Sequence, residues 1–480
     1  MGTSSAVRAS RVAMFAAFLL GCGSGAPPPE PRGTPSPRPS AATASSPPSA
    51  IAAPAPSPAT LPAGIPDTPA GRQLAWVLAS MNSVPAEADI TPHFSPAFLA
   101  QVPPAKLVET AGRVAQGAPY ALEKVTPAPG TDRILVARVR SSRGQAFNVR
   151  LALEPRGERI AGLLIRPHID AKSAASWDEV ATTVRAVAPA ASFLAAEIDG
   201  KKCVPLSSVD PDKPLALGSA FKLYVLDALA AQIAAGKHHW EDSITIDDGH
   251  KSLPSGDMRD EPAGKTFTVR RFAEQMISAS DNTAADHLLA FVGRGAVEGA
   301  VQASGHAKPS LLAPFLSTRE MFALKLLAPP EDQRAYISGD AAHRRKLLDG
   351  YDKRDLAEMV SRVPSFDKPI LIDSIEWFAS PADLCRLMAD LHVRSGTPAT
   401  APVGEILSMN PGLPDEKKQY RYIGFKGGSE PGVLDLTFLL QRARDDKWLF
   451  LTVDFNDANA PVDEPKAIAA VATAREFLGK

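Results

Sequence analysis

Proline sets the first limit on what this chain can fold into. Of its 45 prolines, fifteen lie between Pro27 and Pro69, among Ala and Ser with hardly a large apolar side chain. Such a segment cannot bury enough surface to offset the entropy of ordering it. No packed core is therefore expected before about residue 68, and 23–67 reads as a semi-extended tether, with wall binding as the alternative. Ahead of it, Arg8 and Arg11 precede the apolar run Val12–Leu20, then Gly21-Cys22-Gly23. A basic start, a short apolar run and a small residue before the cut read as an export signal over 1–22. The run is too short for a spanning helix, which needs about 20 apolar residues.

The rest of the 480 residues is ample for more than one core. Lys+Arg number 52 and Asp+Glu 53, so no net basic excess points to nucleic acid. Three cysteines are too few for a disulfide scaffold or structural zinc cluster, and the nine histidines lack metal-ligand spacing. No metal or other cofactor is expected. Cys203 and Cys385 are candidates for one bond in an oxidising compartment, which sequence alone leaves open.

Two folded regions are expected. In 68–170, a helical pattern from Gly71 to Met81 and two shorter helices near Leu99 and Leu107 precede alternating strands. Ile134–Val139 and Phe147–Leu153 form a hairpin, with Arg159–Arg166 as a third strand. This is a small α+β unit. Arg138, Arg140, Arg143 and Arg150 point outward, as a solvated face or an anion site. In 171–480, Ser176 and Glu179 form a capping box. Strands Ser192–Asp199 and Cys203–Ser208, a helical block, three strands ending at Phe455 and a helix Glu464–Leu478 follow. That order implies one antiparallel sheet, with its first and last helices on one face and a helical subdomain on the other.

Chemistry concentrates in three places of the larger region. Ser219 and Lys222 lie one helical turn apart at the start of an apolar helix, so the amine can reach the hydroxyl. A serine hydroxyl is a weak nucleophile without an adjacent base. A buried lysine near another cation can supply one. Ser280-Asp281-Asn282 falls between two helices, and Lys426-Gly427-Gly428-Ser429 on an inner sheet strand.

Ser-x-x-Lys, Ser-Asp-Asn and Lys-[Ser/Thr]-Gly, in that order, are the signature of class A β-lactamases and penicillin-binding proteins. The chain from about 176 to 480 resembles class A β-lactamase-like serine hydrolases. The resemblance implies a β-lactamase-like (DD-peptidase/transpeptidase) fold, α+β or α/β, preceded by a small α+β cone-like domain. It implies Ser219 as acylated nucleophile, Lys222 as base or as the group that orients the base, Ser280 as proton relay and Lys426 as anion holder. Asn282, Gly428 and Ser429 would contact substrate, with the Ser219 and Ser429 amides as oxyanion hole. Three departures stand out. Gly427 lacks the usual hydroxyl. No Glu-x-x-Leu-Asn motif for deacylation occurs between Leu288 and Asp383, Glu320 being the nearest substitute or simply a helix-capping residue. Pro329–Val363 is a charged insert able to lid the site. The layout is most similar to two-domain serine hydrolases that include an esterase-type protein of the clavulanic-acid gene cluster and mycobacterial lipoproteins. Leu19-Leu20-Gly21-Cys22 resembles the bacterial lipobox, which implies a lipidated Cys22, although an ordinary cleaved signal with an incidental cysteine is the alternative. The expectation is thus an exported monomer, anchored to a bacterial membrane through Cys22 on the outer-membrane, periplasmic or cell-surface side. It would act on a small acyl substrate, an ester or β-lactam. The other readings are a true β-lactamase, a penicillin-binding or cell-wall peptidase, and a non-catalytic binding lipoprotein.

Overall fold

The computed structural model describes residues 61–480 apart from 129, 130, 143, 170, 172, 254, 352–354, 364, 365 and 416. The signal segment, Cys22, Arg143 and most of the tether lie outside the described residues. The described chain forms two compact units, divided between His168 and Ile169.

The smaller unit begins with helices α1 (Pro69–Asn82), α2 (Glu87–Ile90), α3 (Pro96–Gln101) and α4 (Pro104–Val114). Thr68 caps α1 by accepting from the Gly71 amide, and Pro69 occupies the first turn, where its missing N–H costs nothing. Strands β1 (Ala121–Pro127), β2 (Ile134–Arg140), β3 (Ala146–Leu153) and β4 (Ile160–Pro167) follow as an antiparallel meander. Leu74, Val77 and Met81 of α1 share a core with Leu135, Val139, Val149 and Leu151 of the sheet. The sheet thus has four strands, one more than the pattern predicts. In β1 a register shift between Leu122 and Lys124 breaks the two-residue period, and the strand is a mostly exposed edge.

In the larger unit, α5 (Trp177–Arg185) leads into β5 (Ala190–Asp199), β6 (Lys202–Val209) and the short β7 (Leu215–Ala216). A 3-10 turn, Gly218–Phe221, opens α6 (Lys222–Ala234). The small pair β8 (Ser243–Thr245) and β9 (Thr266–Thr268) precedes α7 (Val269–Ser278), α8 (Asn282–Val292), α9 (Arg294–Ala303) and α10 (Thr318–Leu326). The insert folds as α11 (Pro330–Ser338), α12 (Ala341–Leu348) and α13 (Leu356–Arg362). Its Tyr336, Leu348 and Met359 are buried in the helical core, because each of these short helices must bury its apolar stripe, so the insert is packed structure as well as charged surface. Next come β10 (Phe378–Ala379), α14 (Pro381–Ser395), α15 (Pro402–Ser408), β11 (Tyr420–Glu430), β12 (Val433–Arg442), β13 (Trp448–Asn456) and α16 (Glu464–Gly479).

The main sheet is antiparallel with order β11-β12-β13-β5-β6. Val180, Val184, Val471 and Ala474 bring α5 and α16 onto one face, against Phe193, Phe438, Leu451 and Val453. The other face carries the helical half, built around the largely buried α6. The inner strands are buried on both faces, which is why β12 and β13 read as nearly continuous apolar runs. One expectation needs correcting. Lys426-Gly427-Gly428 is on the edge strand, not an inner one. The short β11–β12 hairpin leaves β11 paired on one side only, with its other edge turned to the Gly218–Phe221 turn.

Cys203 on β6 and Cys385 on α14 are joined by a disulfide that closes 182 residues of chain and ties the far sheet edge to the helical half. Loop-closure entropy for so long a loop corresponds to about 5 kcal/mol. Cys203→Ser, or reduction of the wild type, is therefore expected to lower the melting temperature by roughly 10 °C in a calorimetric scan.

Candidate active site

The chain enters the site through Leu217, whose amide bonds the Trp377 carbonyl at 3.0 Å. Gly218 then turns with φ +50, and Ser219 follows on the 3-10 turn, half-buried. Edge strand β11 presses directly on this turn. A Cβ on Gly428 would lie 1.9 Å from Leu217 O and 2.5 Å from the Ser219 nitrogen. A Cβ on Gly218 would lie 2.8 Å from the Ser429 nitrogen. Both positions require glycine, and together they bring the Ser219 and Ser429 amides side by side, as a pair of oxyanion donors must be.

Lys222 begins α6 with its side chain wholly buried. Its Nζ is 3.0 Å from Ser219 Oγ, 2.6 Å from Ser280 O, 2.6 Å from Asn282 Oδ1 and 3.3 Å from Ser280 Oγ. Burial lowers its pKa well below the usual lysine value, and Lys426 adds to the effect against weaker help from Asp281 and Asp286. A neutral amine has two hydrogens and one lone pair. Ser280 O and Asn282 Oδ1 can only accept, so they take both hydrogens and leave the lone pair for the Ser219 hydroxyl. Asn282 cannot present its other end, since its Nδ2 donates to Leu253 O at 3.1 Å.

The Ser280-Asp281-Asn282 loop divides its work. Ser280 holds a left-handed backbone (φ 57), a costly state for a non-glycine residue, and its carbonyl accepts from Lys222 and from Ser255 Oγ. Asp281 turns inward instead, capping α8 at Ala284 N and accepting from Met258 N, both at 2.8 Å. Gly256 accommodates it, because a Cβ there would strike the Asp281 carboxylate at 1.9 Å. Asp286 on α8 accepts from Thr318 and Arg319 and so fixes the start of α10, while burial lifts its pKa to about 7.

Lys426 Nζ reaches Ser280 Oγ at 3.0 Å and also the Gly427 carbonyl. Ser219, Lys222, Ser280 and Lys426 thus form one continuous polar chain. Burial lowers Lys426 to about 7, with Asp435 opposing the fall. Asp435 pairs across the ladder with Gly428 and with Asp454, so all three face the same side of the sheet. Thr437 and Thr452 hydroxyls donate to Asp435, and Ser192 donates to Asp454. Burial and the neighbouring Asp435 push Asp454 well above the carboxylate range, so this pair shares a proton. Sequence reading missed it, although a lone acid in each apolar run (Leu434-Asp435-Leu436, Val453-Asp454-Phe455) was the available signal.

Gly427 has a local cause: a Cβ would meet the Phe425 ring at 2.8 Å and the Asp435 carbonyl at 3.0 Å. Glu320 closes a capping box with Ser317 and is held by Arg294, so it is committed to structure. The described residues contain no cluster of acids, histidines or cysteines able to hold a metal.

Gly428→Ala is expected to separate β11 from the Ser219 turn. Any acyl transfer at Ser219 should fall by at least about 100-fold, the scale of losing one oxyanion donor. Stopped-flow acylation of G428A beside the wild type measures this.

Residues 177–394 match the family described as "Beta-lactamase enzyme family", and residues 65–158 match "ORF 12 gene product N-terminal". No curated protein matches the sequence. Solved structures similar to it include a β-lactamase from Sphaerobacter thermophilus, at 18% identity and TM-score 0.44, covering 63% of this chain and 98% of that one. A β-lactamase from Desulfarculus baarsii follows at 17% identity and 0.43, covering 64% and 100%. PBP-A, in its L158E mutant as an acyl-enzyme complex with penicillin G, is similar at 14% identity and 0.42, covering 63% and 96%. The sequence match over 177–394 and the observed architecture together make the larger unit a β-lactamase-like domain.

Proposed function

We propose that this protein is a serine hydrolase working through an acyl-enzyme on Ser219, with an ester or a β-lactam-type amide as substrate. One observation carries the reading: Lys222 Nζ lies 3.0 Å from Ser219 Oγ while two obligate acceptors occupy its hydrogens. Ser219 Oγ bonds the acyl carbon as its proton moves to Lys222. The carbonyl oxygen, now negative, takes the Ser219 and Ser429 amides. Ser280, bridging Lys222 and Lys426, passes the proton on to the leaving group. Lys426 holds an anionic group of the substrate, and Asn282 and Gly428 shape its seat. The family match over 177–394 favours antibiotic β-lactam hydrolysis as a second reading of the same chemistry. Anchoring through a lipidated Cys22 on the exported side of a bacterial membrane completes the proposal.

Ser219→Ala is expected to abolish ester and β-lactam turnover. Intact-mass spectrometry with a chromogenic cephalosporin and a p-nitrophenyl ester should show an adduct on wild type and none on the variant. Retained turnover in Ser219→Ala overturns the mechanism.

The charge on Lys426 gives a pH signature. With its pKa lowered to about 7, the cation is present below that pH and lost above it. KM for a carboxylate-bearing substrate should rise as pH passes about 7, while KM for a neutral ester stays flat. Asp435→Asn removes the charge that opposes the lowering, so the inflection should move to lower pH. Steady-state KM profiles of the two substrates check this.

A further inference from the structure

Hydrolysing an acyl-enzyme requires a proton acceptor for the attacking water. Glu320 is committed elsewhere, but another carboxyl lies along the site strand. Side chains alternate on β11, so Lys426, Gly428 and Glu430 share the face turned to Ser219. Gly428 touches the Ser219 amide, and Glu430 is two residues further, roughly 6.6 Å along the strand. The Glu430 side chain is only 6% exposed. One of its oxygens accepts from Lys325 Nζ, and the other, Oε2, is buried with no hydrogen-bond partner among the described residues.

The surroundings tie this group to the site. Lys325 also bonds Glu376 at 2.9 Å. It lies near the end of α10, whose first residue, Thr318, bonds Asp286 and approaches the Asn282 carbonyl at 3.5 Å. Helix α10 therefore runs from Asn282 to Glu430 under the site. Glu376 precedes Trp377, which accepts from Leu217 and stacks on Phe221 at 3.8 Å. One cation satisfies one carboxylate. A second buried carboxyl beside it is costly unless the pair keeps a proton. Burial and the adjacent Glu376 accordingly raise the Glu430 carboxyl well above its ordinary range. The result is a buried proton-exchanging pair, charge-balanced by Lys325, with one oxygen unpartnered.

Resting on the acyl-enzyme reading above, we infer that Glu430 activates the water that releases the acyl group from Ser219. Water gives a proton to Glu430 Oε2 as its oxygen bonds the acyl carbon, while the proton already held by the pair settles on Glu376. The bond from that carbon to Ser219 Oγ then breaks, and the same proton passes to the departing serine oxygen. The acid leaves and the pair is restored.

The test follows the Ser219 adduct by intact mass in the full chain, using the chromogenic cephalosporin and the p-nitrophenyl ester. Glu430→Gln keeps the shape and removes the acceptor. It should acylate at close to the wild-type rate and lose its adduct at least about 100-fold more slowly, the scale of general-base catalysis. Glu430→Asp keeps the carboxyl one methylene short and should fall between the two, which also guards against a folding defect in the Gln variant. Decay rates and pH profiles equal to wild type in both variants, with only the melting temperature lowered, would reduce Glu430 to a structural ion-pair partner and overturn the inference. Absence of any adduct on the wild type would instead overturn the acyl-enzyme reading, and this inference with it.

Discussion

Edge strand β11 meets the Gly218–Phe221 turn backbone to backbone, and the site follows from that contact. Side chains at Gly218 or Gly428 would overlap main-chain atoms, so the approach exists only because both are glycine. It brings two amides together, aligns Lys426 with Ser280, and leaves Glu430 two residues beyond the contact on the same strand face. The turn is fixed from behind as well. Leu217 is bonded to Trp377, and Phe221 stacks on the Trp377 ring. A nucleophile held by packing on both sides keeps its geometry without relying on mobile side chains.

Around this contact the protein buries an unusual amount of ionisable chemistry. Lys222 has only neutral hydrogen-bonding partners, Lys426 has carboxyls near it but not touching, and two acid pairs lie close by. A charge in such a place is costly, so each group changes its protonation instead. Lys222 and Lys426 become less basic, and Glu430 and Asp454 more basic. The interior thereby acquires proton acceptors and donors in the range where hydrolysis needs them. Sheet register arranges this: Gly428, Asp435, Asp454 and Ser192 form one row across three ladders. The apolar partners of that row face α5 and α16 on the other side.

Much of the fold and the pairing of Ser219 with Lys222 could be read from the residues in order. The apolar α6, the two buried runs of β12 and β13 and the terminal helix carry patterns that few other arrangements satisfy. Ser219 and Lys222 meet because three residues make nearly one helical turn, which is a local fact. Strand β1 escaped notice because its register shift spoils the alternation. The edge position of β11 escaped because strand order is not a local property. Asp435, Asp454, Lys325, Glu376 and Glu430 escaped because each is an ordinary charged residue in its own stretch, and their meaning comes from neighbours up to 262 residues away.

The sequence by itself determined that Ser219 and Lys222 lie one helical turn apart and that two strongly apolar strands must be covered on both faces. Spacing along one helix or one strand governs those features, so they need no knowledge of the rest of the chain. Tertiary structure alone decided that the Ser280–Asn282 loop meets the Lys222 amine and Lys426 meets Ser280, that β11 is the edge facing the serine, and that Cys203 meets Cys385. It also decided which carboxyls are buried in pairs. Burial and proximity, not residue type, set the protonation state of such groups, and both arise only when the sheet and the helical half close on each other.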